Sequence, residues 1–583
     1  MTGRRARGRG ARAAVVAAAL AGALVLGGCG GLPRSGPVLS GSRVVDDPRA
    51  GVLQVIPRGP RVGAGPAEVV RGFLLAGGAA ADDFAVARSF LTGDAAGRWR
   101  PAAGTTLLRD AADVTPAPVD AAEAAQVAVT GEVLAVVDAA GHYEQRPGGT
   151  RASLAFRLVQ ADGEWRIDEL PDGLVLTRVD ASRSLRPFPV YFATADGRQL
   201  VGDVRWFPYD STTPTRIVAE LLAGPSPWLA PAVRSGAPEG TALRVGTVPV
   251  EAGTATVELT SAVLEADPER RTLLLAQLRA SLTRLPSVGR VRVVVDGAEL
   301  SRGAPGDGTG PVVADGAPDA RPVLLGPGGL SRWDGTSVRA VPGTGPGLSS
   351  AEDAAHPAVS PDGEAYAVLL DGERELAVQR PGGPLRVVHR SAVPLSPPSV
   401  DRSGWVWTVP AEEDAEPVVV AVDAPDEPPV RVQLPAAGMG GVVQRWRVSR
   451  DGARALVVVR APDGSQQVRV HGLVRDRDGR PLRVGDGSAP LVPGAEEVLD
   501  VSWPVDDQVV LLVRLASEPD PVPVLSGVSG PWQALPAVPG AVSVAAGTSE
   551  RDVVVATADG RLLARSGAEW LVFAQGRDPA YPG

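Results

Sequence analysis

The side chains that most often carry catalysis or bind metals are few and scattered in this chain. It has four histidines, His142, His356, His389 and His471, and a single cysteine. The histidines lack the spacing of metal ligands, no G-x-S-x-G elbow is present, and the glycine-rich runs lack the Gly-Lys-Ser/Thr of a P-loop. The sequence therefore predicts isolated surface or turn histidines, no catalytic residue, no metal site and no cofactor, so we expect a protein that is not an enzyme.

Cys29 is the one residue for which the sequence predicts covalent chemistry. It ends the run Leu26-Gly27-Gly28-Cys29, which follows an arginine-rich start and an apolar stretch over 13–26. These are the parts of an export signal. The apolar stretch is shorter than the roughly 20 residues that a good transmembrane helix needs. We therefore expect an exported chain whose lone thiol is modified.

The run from Leu26 to Cys29 resembles the lipobox of bacterial lipoproteins. The resemblance implies that residues 1–28 are a signal peptide and that Cys29 carries S-diacylglycerol and N-acyl groups, which together give stable anchoring. A signal peptide cleaved without lipidation and an uncleaved anchor helix are the alternatives. The pair Arg4-Arg5 could belong to a twin-arginine signal, but in so arginine-rich a leader the general secretory route is favoured.

Composition limits the remaining function classes. The net charge of −9 argues against a general nucleic-acid binder. Because Cys29 is the only cysteine, no disulfide can form within the chain, and stability must come from buried cores. The length of the chain allows three or four domains.

The elements that would position any site fall into successive segments. Residues 29–65 are rich in Gly, Pro, Ser and Arg and predict a flexible tether. Residues 66–180 predict a small α+β domain with a helix at 67–75, a second helix with Phe84 to Leu91, and strands at 127–137, 155–159 and 165–167. The last hairpin, with Trp165 and Ile167 after Asp162-Gly163, resembles the sheet of NTF2-like domains. Trp99 and Trp165 are predicted to be core residues.

Residues 187–300 predict a second α+β domain. Strands are expected at 190–192, 204–207, 243–245, 254–259 and 288–295, with helices at 215–222 and about 269–285. The stretches LLAGP, TATVELT, LLLAQLRASLTRLPSV and VRVVVDG, in this order, resemble a GerMN domain. The resemblance implies a binding or assembly module, and Pro249 leaves the register of one hairpin open.

Residues 318–583 predict an all-β propeller of five to seven blades. A motif with an Asp-Gly turn before a Val-rich strand recurs about every 40 to 55 residues, as at 359–369, 400–407 and 448–459. The Ser-Pro-Asp-Gly form resembles the repeats of TolB-type and WD40-like propellers. Asp362, Asp401 and Asp451 are each predicted to shape their own turn, and the acidic stretch Glu412 to Glu416 to be a solvated loop.

The whole order of segments resembles the actinobacterial lipoprotein family LpqB. The resemblance implies a lipid-anchored protein on the extracytoplasmic face of the cell membrane. It also implies a partner, the extracellular domain of a sensor kinase of the MtrA–MtrB type, and an effect on cell-wall homeostasis and division. Two other hypotheses stay open: a solute- or glycan-binding lipoprotein, and a propeller hydrolase or lyase, which requires carboxylates and histidine around the propeller axis.

Overall fold

The computed structural model describes residues 57–300 and 321–583, apart from gaps at 80, 118–123, 345–347, 349–352, 492–493, 506 and 550. These residues do not include the predicted signal peptide, most of the predicted tether, or Leu26, Gly27, Gly28 and Cys29. None of the described helices is long and apolar enough to cross a membrane.

The N-terminal domain is a sheet with short helices packed against it. Its elements are α1 Pro66–Ala76, α2 Ala85–Arg88, α3 Gly93–Arg98, β1 Gly104–Leu108, β2 Asp113–Ala117, β3 Ala124–Asp138, β4 Tyr143–Gln145, β5 Arg151–Ala161, β6 Glu164–Glu169, β7 Leu174–Thr177 and α4 Arg178–Ser184. The long strand β3 pairs with β1, β2, β4 and β5. Helix α1 starts with Pro66, whose missing N–H costs nothing in the first turn, and buries Val69, Val70 and Phe73.

The tryptophans of this domain belong to its core, as predicted. Trp99 is 3% exposed, packs edge-on against Phe73 and Phe84, and donates its indole N–H to Gly173 O at 3.1 Å. Trp165 is half-buried against the same core. The last residues of the predicted tether are attached to this domain, since Gly63 N–H donates to Glu164 and Ala64 is buried.

The predicted second helix, with Phe84 to Leu91, is shorter than expected. A 3-10 turn covers Ala81–Phe84, and α2 that follows has only four residues. Asp83 and Phe84 have φ angles of 51° and 57°, which right-handed helices do not allow. The apolar spacing predicted burial correctly, because Phe84, Ala87 and Phe90 are buried.

The second domain places two helices between two small sheets. Its elements are β8 Leu185–Thr194, β9 Leu200–Pro208, α5 Thr213–Ala223, β10 Val233–Arg234, β11 Val250–Glu251, β12 Thr254–Leu259, α6 Pro268–Leu282, β13 Arg290–Val295 and β14 Ala298–Glu299. One sheet has the order β10-β8-β9 and the other β11-β12-β13-β14. Ile217 and Leu221 of α5 share one buried core with Leu274 and Leu278 of α6.

The strand predicted at Leu243 to Val245 does not form. Only Leu243 makes an isolated bridge, to Leu259, and Val245 is 50% exposed. The hairpin after Pro249 has a defined register, in which Val250 pairs with Ala255. Its turn, Ala252-Gly253, has positive φ at both residues, as a two-residue hairpin turn requires.

The described residues from 321 onward form six four-stranded antiparallel sheets. We number the sheets along the chain. Within each sheet we call the strand next to the axis the first and the outermost strand the fourth. Sheet one joins the last strand of the chain to three early ones, in the order β38-β15-β16-β17, and the others run β18 to β21, β22 to β25, β26 to β29, β30 to β33 and β34 to β37. The strands are β15 Val323–Gly326, β16 Gly329–Trp333, β17 Val338–Ala340, β18 Ala355–Val359, β19 Tyr366–Leu370, β20 Glu375–Gln379, β21 Arg386–Arg390, β22 Ser399–Val400, β23 Trp405–Thr408, β24 Val418–Ala421, β25 Val430–Arg431, β26 Val442–Val448, β27 Arg454–Arg460, β28 Gln466–Arg475, β29 Pro481–Leu491, β30 Glu497–Val505, β31 Gln508–Arg514, β32 Val522–Gly527, β33 Trp532–Ala534, β34 Ala541–Ala546, β35 Val553–Thr557, β36 Arg561–Ser566, β37 Glu569–Gln575 and β38 Arg577–Ala580.

The six first strands form a closed ring. In the described residues β18 contacts β22, β22 contacts β26, and the series continues through β30, β34 and β38 back to β18. Strand β38 closes the ring because it pairs antiparallel with β15, with Ala580 opposite Val323. The all-β propeller fold is therefore the one that the repeated motif predicted.

Candidate functional site: the propeller axis and its open face

The propeller has two faces because its strands are antiparallel. Turns between the first and second strands, and between the third and fourth, lie at one end, which we call the turn face. Turns between the second and third strands, and the connections between sheets, lie at the other end, which we call the open face. The repeated Asp-Gly turns join first to second strands, so they all belong to the turn face.

The second domain packs on the turn face. Arg402, in the first turn of sheet three, forms a salt bridge of 3.2 Å with Asp196 of the β8–β9 turn. Arg454 of sheet four donates to the carbonyl oxygen of Gly202 in β9 at 3.4 Å. Gly487 has no room for a side chain, because a Cβ there would lie 2.9 Å from the Cα of Trp228.

Sheet five meets both preceding domains at the turn between its third and fourth strands. The indole N–H of Trp206 donates to Ser529 O at 2.6 Å, and the Gln145 amide of the N-terminal domain donates to Gly530 O at 3.2 Å. Trp206 also packs against Tyr143, with 5.3 Å between ring centroids. Burial raises the pKa of Tyr143 to about 12, so its hydroxyl stays neutral in this junction.

The predicted turn aspartates shape their own turns, and two do more. Asp362 accepts the N–H of Glu364. Asp401 accepts N–H groups of its turn and also the indole N–H of Trp407 at 2.7 Å. Asp401 and Asp451 are also paired with arginines of sheet four, Arg475 and Arg454 respectively, and all four side chains are nearly buried.

The acidic stretch Glu412 to Glu416 lies on the open face, in the connection between β23 and β24. Glu412, Glu413 and Asp414 are exposed, as predicted for a solvated loop. Asp414 also has a structural role, since its carboxylate accepts the N–H groups of Met439 and Gly440. An open groove of about 600 Å³ runs between Asp414, Glu416 and the segment 433–438.

Sheets four and five place charged side chains at the axis. We call this group of side chains the cationic wall. Arg445 donates its Nε–H to Asp500 Oδ1 at 3.2 Å, and Arg447 approaches the same oxygen at 3.9 Å. The second oxygen of Asp500 accepts the N–H of Val544. Because two guanidinium groups share one carboxylate, this wall has an excess positive charge.

Arg447 lines a space that water can reach. Protein atoms surround it, and the loss of solvation lowers the pKa of its guanidinium, with Asp500 and Asp578 opposing and Arg445 reinforcing the effect. Its side chain nevertheless remains 23% exposed. Arg447 therefore lies among protein atoms at the axis with part of its side chain open to solvent.

Sheets one and two form the opposite, anionic wall. His356 Nε2 lies 3.1 Å from Glu373 Oε1, and its Nδ1 lies 3.9 Å from Asp578 Oδ1. Arg577 pairs with Asp578 at 3.1 Å. The hydrogen bond to His356 lowers the pKa of the Glu373 carboxyl, and the charges of His356 and Arg445 lower it further against the effect of burial. We call this wall anionic because it carries the carboxylates of Glu373 and Asp578, beside one guanidinium and the imidazole of His356.

The backbone of the anionic wall is strained. His356, Glu373 and Asp578 have φ angles of 51°, 67° and 50°. Non-glycine residues rarely adopt this left-handed conformation, which costs about 1 kcal/mol or more and is concentrated at functional sites. Glu373 lies in the turn between the second and third strands of sheet two, so this cluster of charged residues lies at the open face.

The prediction of four isolated surface or turn histidines is wrong for two of them. His356 contacts both Glu373 and Asp578. Its contact with Asp578, 222 positions away, depends on closure of the ring. His471 is 3% exposed inside strand β28, where burial lowers the pKa of its imidazole. His142 pairs with Asp138 at 2.8 Å. Burial lowers the pKa of His389, and the charge of Arg431 lowers it further.

The axial residues contain the carboxylates and the histidine that a propeller hydrolase or lyase would require. In the described part of the chain, however, no hydroxyl or thiol side chain is hydrogen-bonded to His356 to act as an activated nucleophile. Among the same residues no three His, Cys, Asp or Glu side chains are grouped to hold a metal ion. What the arrangement offers chemically is two clusters of ion-paired side chains at the axis.

Three family models match successive parts of the chain. They are described as the lipoprotein LpqB N-terminal domain over 59–182, sporulation and spore germination over 189–301, and the lipoprotein LpqB beta-propeller domain over 328–582. Lipoprotein LpqB of Streptomyces coelicolor is 30% identical over 99% of both chains. The chain belongs to the lipoprotein LpqB family. The homologue of Thermobifida fusca is 29% identical over 98% of this chain and 99% of its own length.

Solved structures resemble parts of this LpqB-family chain only distantly. TolB from Acinetobacter baumannii is 18% identical, with a TM-score of 0.35, and covers 45% of this chain and 65% of its own. The tandem GerMN domains of GerM from Bacillus subtilis are 16% identical, with a TM-score of 0.19, and cover 26% of this chain and 59% of theirs. Family membership implies a membrane-anchored lipoprotein with a GerMN-like domain and a propeller-like domain, and this is not a known enzyme family.

Proposed function

We propose that this LpqB-family chain is held through a lipid on Cys29 at the extracytoplasmic face of the cell membrane. There it binds the extracellular domain of a two-component sensor kinase of the MtrA–MtrB type and modulates its signalling, and so affects cell-wall homeostasis and division. The observation that best supports a protein contact is the occupation of the turn face by the preceding domains. The open face, with its exposed acidic loop, is then the surface on which a partner can dock.

Binding is tested with the purified extracellular domain of the sensor kinase and the chain lacking residues 1–29. We expect a 1:1 complex that Glu412→Arg and Glu413→Arg together weaken by about tenfold, since reversal of exposed charge at an interface opposes association. The matched control is Glu265→Arg, an exposed charge in the second domain. A dissociation constant above about 100 μM for the unmodified chain, with kinase phosphorylation unchanged on deletion of the gene, contradicts the proposal.

The lipid anchor is tested separately. Cys29→Ala releases the protein from the membrane fraction without lowering its melting temperature if Cys29 is the acylated residue. Signalling then weakens at equal protein abundance, because tethering raises the effective concentration of the two partners. Membrane retention of the Cys29→Ala protein contradicts lipidation at this residue.

A second candidate function, binding of a solute or glycan, is favoured by one observation. Charged side chains from four sheets lie around the propeller axis near the open face. Thermal-shift screening against cell-wall fragments distinguishes the two candidates, because a ligand at 100 times its dissociation constant stabilises the folded protein by about 2.7 kcal/mol.

A further inference from the structure

The outer strand of sheet six, β37, is an open edge that carries apolar side chains. It spans Glu569–Gln575 and pairs with β36 on one side, and no described strand pairs with its other side. Leu571 and Val572, next to each other on this strand, are 52% and 51% exposed. An edge that combines unpaired N–H and C=O groups with exposed apolar surface is one to which another strand can add.

The five other outer strands of the described propeller have features that oppose such pairing. Strands β17, β25 and β33 are only two or three residues long. Strand β21 begins with Arg386 and ends with Arg390, so an antiparallel copy of it would place arginine opposite arginine. Strand β29 contains prolines and is covered by the second domain, where Trp228 leaves no room for a side chain at Gly487. Strand β37 has neither proline nor arginine, and its one charged residue is Glu569.

The hairpin between β36 and β37 determines which backbone groups face the open side. Ser566 pairs with Glu569 across a two-residue turn, so these two residues exchange their backbone hydrogen bonds. Because the direction of the backbone groups alternates along a strand, Trp570 and Val572 direct their N–H and C=O groups away from β36. Two residues that can bond a further strand therefore flank Leu571.

A bulge ends the regular part of this edge. Phe573 is an extra residue opposite β36, and its ring packs against Trp333 of sheet one with 4.9 Å between ring centroids. Pairing is therefore limited mainly to residues 569–572. A stable interface takes about 20 to 30 residues from each side, so we expect a weak contact in solution. Anchoring of the copies to one membrane surface favours it, because tethering raises the effective concentration.

We propose that two copies of this chain pair through β37, antiparallel and about a two-fold axis at Leu571. On one face of the joined sheet Leu571 lies opposite its own copy. On the other face Trp570 of each chain lies opposite Val572 of the second copy, which gives the self-complementary contact of a symmetric dimer. Glu569 falls opposite the uncharged Phe573, so no like charges meet. This pairing depends neither on the sensor kinase nor on solute binding.

The register is tested by cross-linking of Leu571→Cys, which is practical because Cys29 is the only cysteine of the chain. The full chain is reconstituted in phosphatidylcholine vesicles and oxidised with copper phenanthroline, with the unmodified chain as a blank for Cys29. Opposite residues of a non-hydrogen-bonded pair have Cα atoms about 4.5 Å apart, which suits a disulfide. We expect about tenfold more disulfide-linked dimer than for Leu482→Cys, which is 46% exposed on the outer strand of sheet four. Equal yields of the two variants overturn the proposal.

The edge is tested by adding Val572→Lys to the Leu571→Cys chain, since a lysine on an exposed edge opposes strand pairing. We expect the yield of cross-linked dimer to fall about tenfold, while Leu482→Lys leaves it unchanged. The melting temperature is expected to change little, because Val572 is half-exposed. A dimer that persists in folded Val572→Lys uses another surface and overturns the proposal. A chain that does not cross-link, but binds the sensor domain more weakly after Val572→Lys, assigns the edge to that partner and also overturns self-pairing.

Discussion

Arg454 and Asp451 form an ion pair that is almost completely withdrawn from water, with side chains 1% exposed. The pair lies in the turn of sheet four that contacts the second domain. Loss of one partner leaves the other charge buried and unpaired. We expect Arg454→Met to lower the free energy of unfolding by about 3 kcal/mol, measured by urea denaturation.

The matched control for this pair is Arg561→Met. Arg561 pairs with Asp559 at 2.8 Å in an exposed turn, where such pairs contribute about 0 to 1 kcal/mol. Equal losses in the two variants would show that burial does not decide the strength of these pairs. The sequence predicted Asp451 as a turn residue, but it could not predict Arg454, because that contact depends on how the turn is covered.

Glu220 on α5 is a half-buried carboxylate for which the described structure has no hydrogen bond or ion pair. Burial raises the pKa of its carboxyl, although the charges of Arg205 and His142 act in the opposite direction. A raised carboxyl pKa means that the ionised form destabilises the fold at neutral pH. We expect Glu220→Gln to raise the melting temperature at pH 7 and to lose this gain as the pH falls through the raised folded pKa, so that none remains below about 4.3, the unfolded value.

The control for the pH effect is Glu239→Gln, an exposed residue of the same domain. It is expected to change the melting temperature little at either pH. A gain for Glu220→Gln that is the same at pH 4 and pH 7 would assign it to packing rather than to charge.

At the scale of the element, strand β38 completes the propeller. It supplies the strand of sheet one next to the axis, and Arg577 donates to Ala354 O at 2.6 Å in the neighbouring sheet. A chain stopped after Gln575 leaves sheet one with three strands and the ring open. We expect the propeller to unfold at a lower temperature and to be cleaved faster by protease, with the first two domains unaffected.

A suitable control is Leu571→Ser, on the exposed outer strand β37 of sheet six. This change removes apolar surface near the end of the chain and leaves the ring closed. If it destabilises the propeller as much as the truncation does, closure is not the source of the stability.

The elements were predictable where local chemistry decides them. The Asp-Gly turns and the Val-rich strands recur in the sequence, and they occur as hairpins between first and second strands. The helix expected around Phe84 and the strand expected at Leu243 failed because backbone conformation and pairing partners outweighed apolar spacing. The axial walls were not predictable, because only ring closure brings residues of four sheets together.

At the scale of the molecule, Trp206 links the second domain to the propeller. Its indole N–H donates a hydrogen bond to the carbonyl oxygen of Ser529, and its ring lies against Gly530 and Tyr143. We expect Trp206→Ala to speed amide hydrogen exchange at the turn 527–531 and to separate the melting of the propeller from that of the preceding domains. Trp532→Ala, two residues beyond the contact and 38% exposed, is the control. A single unchanged transition in Trp206→Ala would show that other contacts hold the domains together.

Closure of the ring by β38 also orders events in time. His356 and Asp578 meet only when positions 222 residues apart come together, and contacts of such long range form slowly. A chain that crosses a membrane from its N-terminus delivers the two earlier domains first and β38 last. The charged residues at the axis are therefore the last to be brought together, and a chain released before β38 is delivered has both earlier domains but no closed propeller.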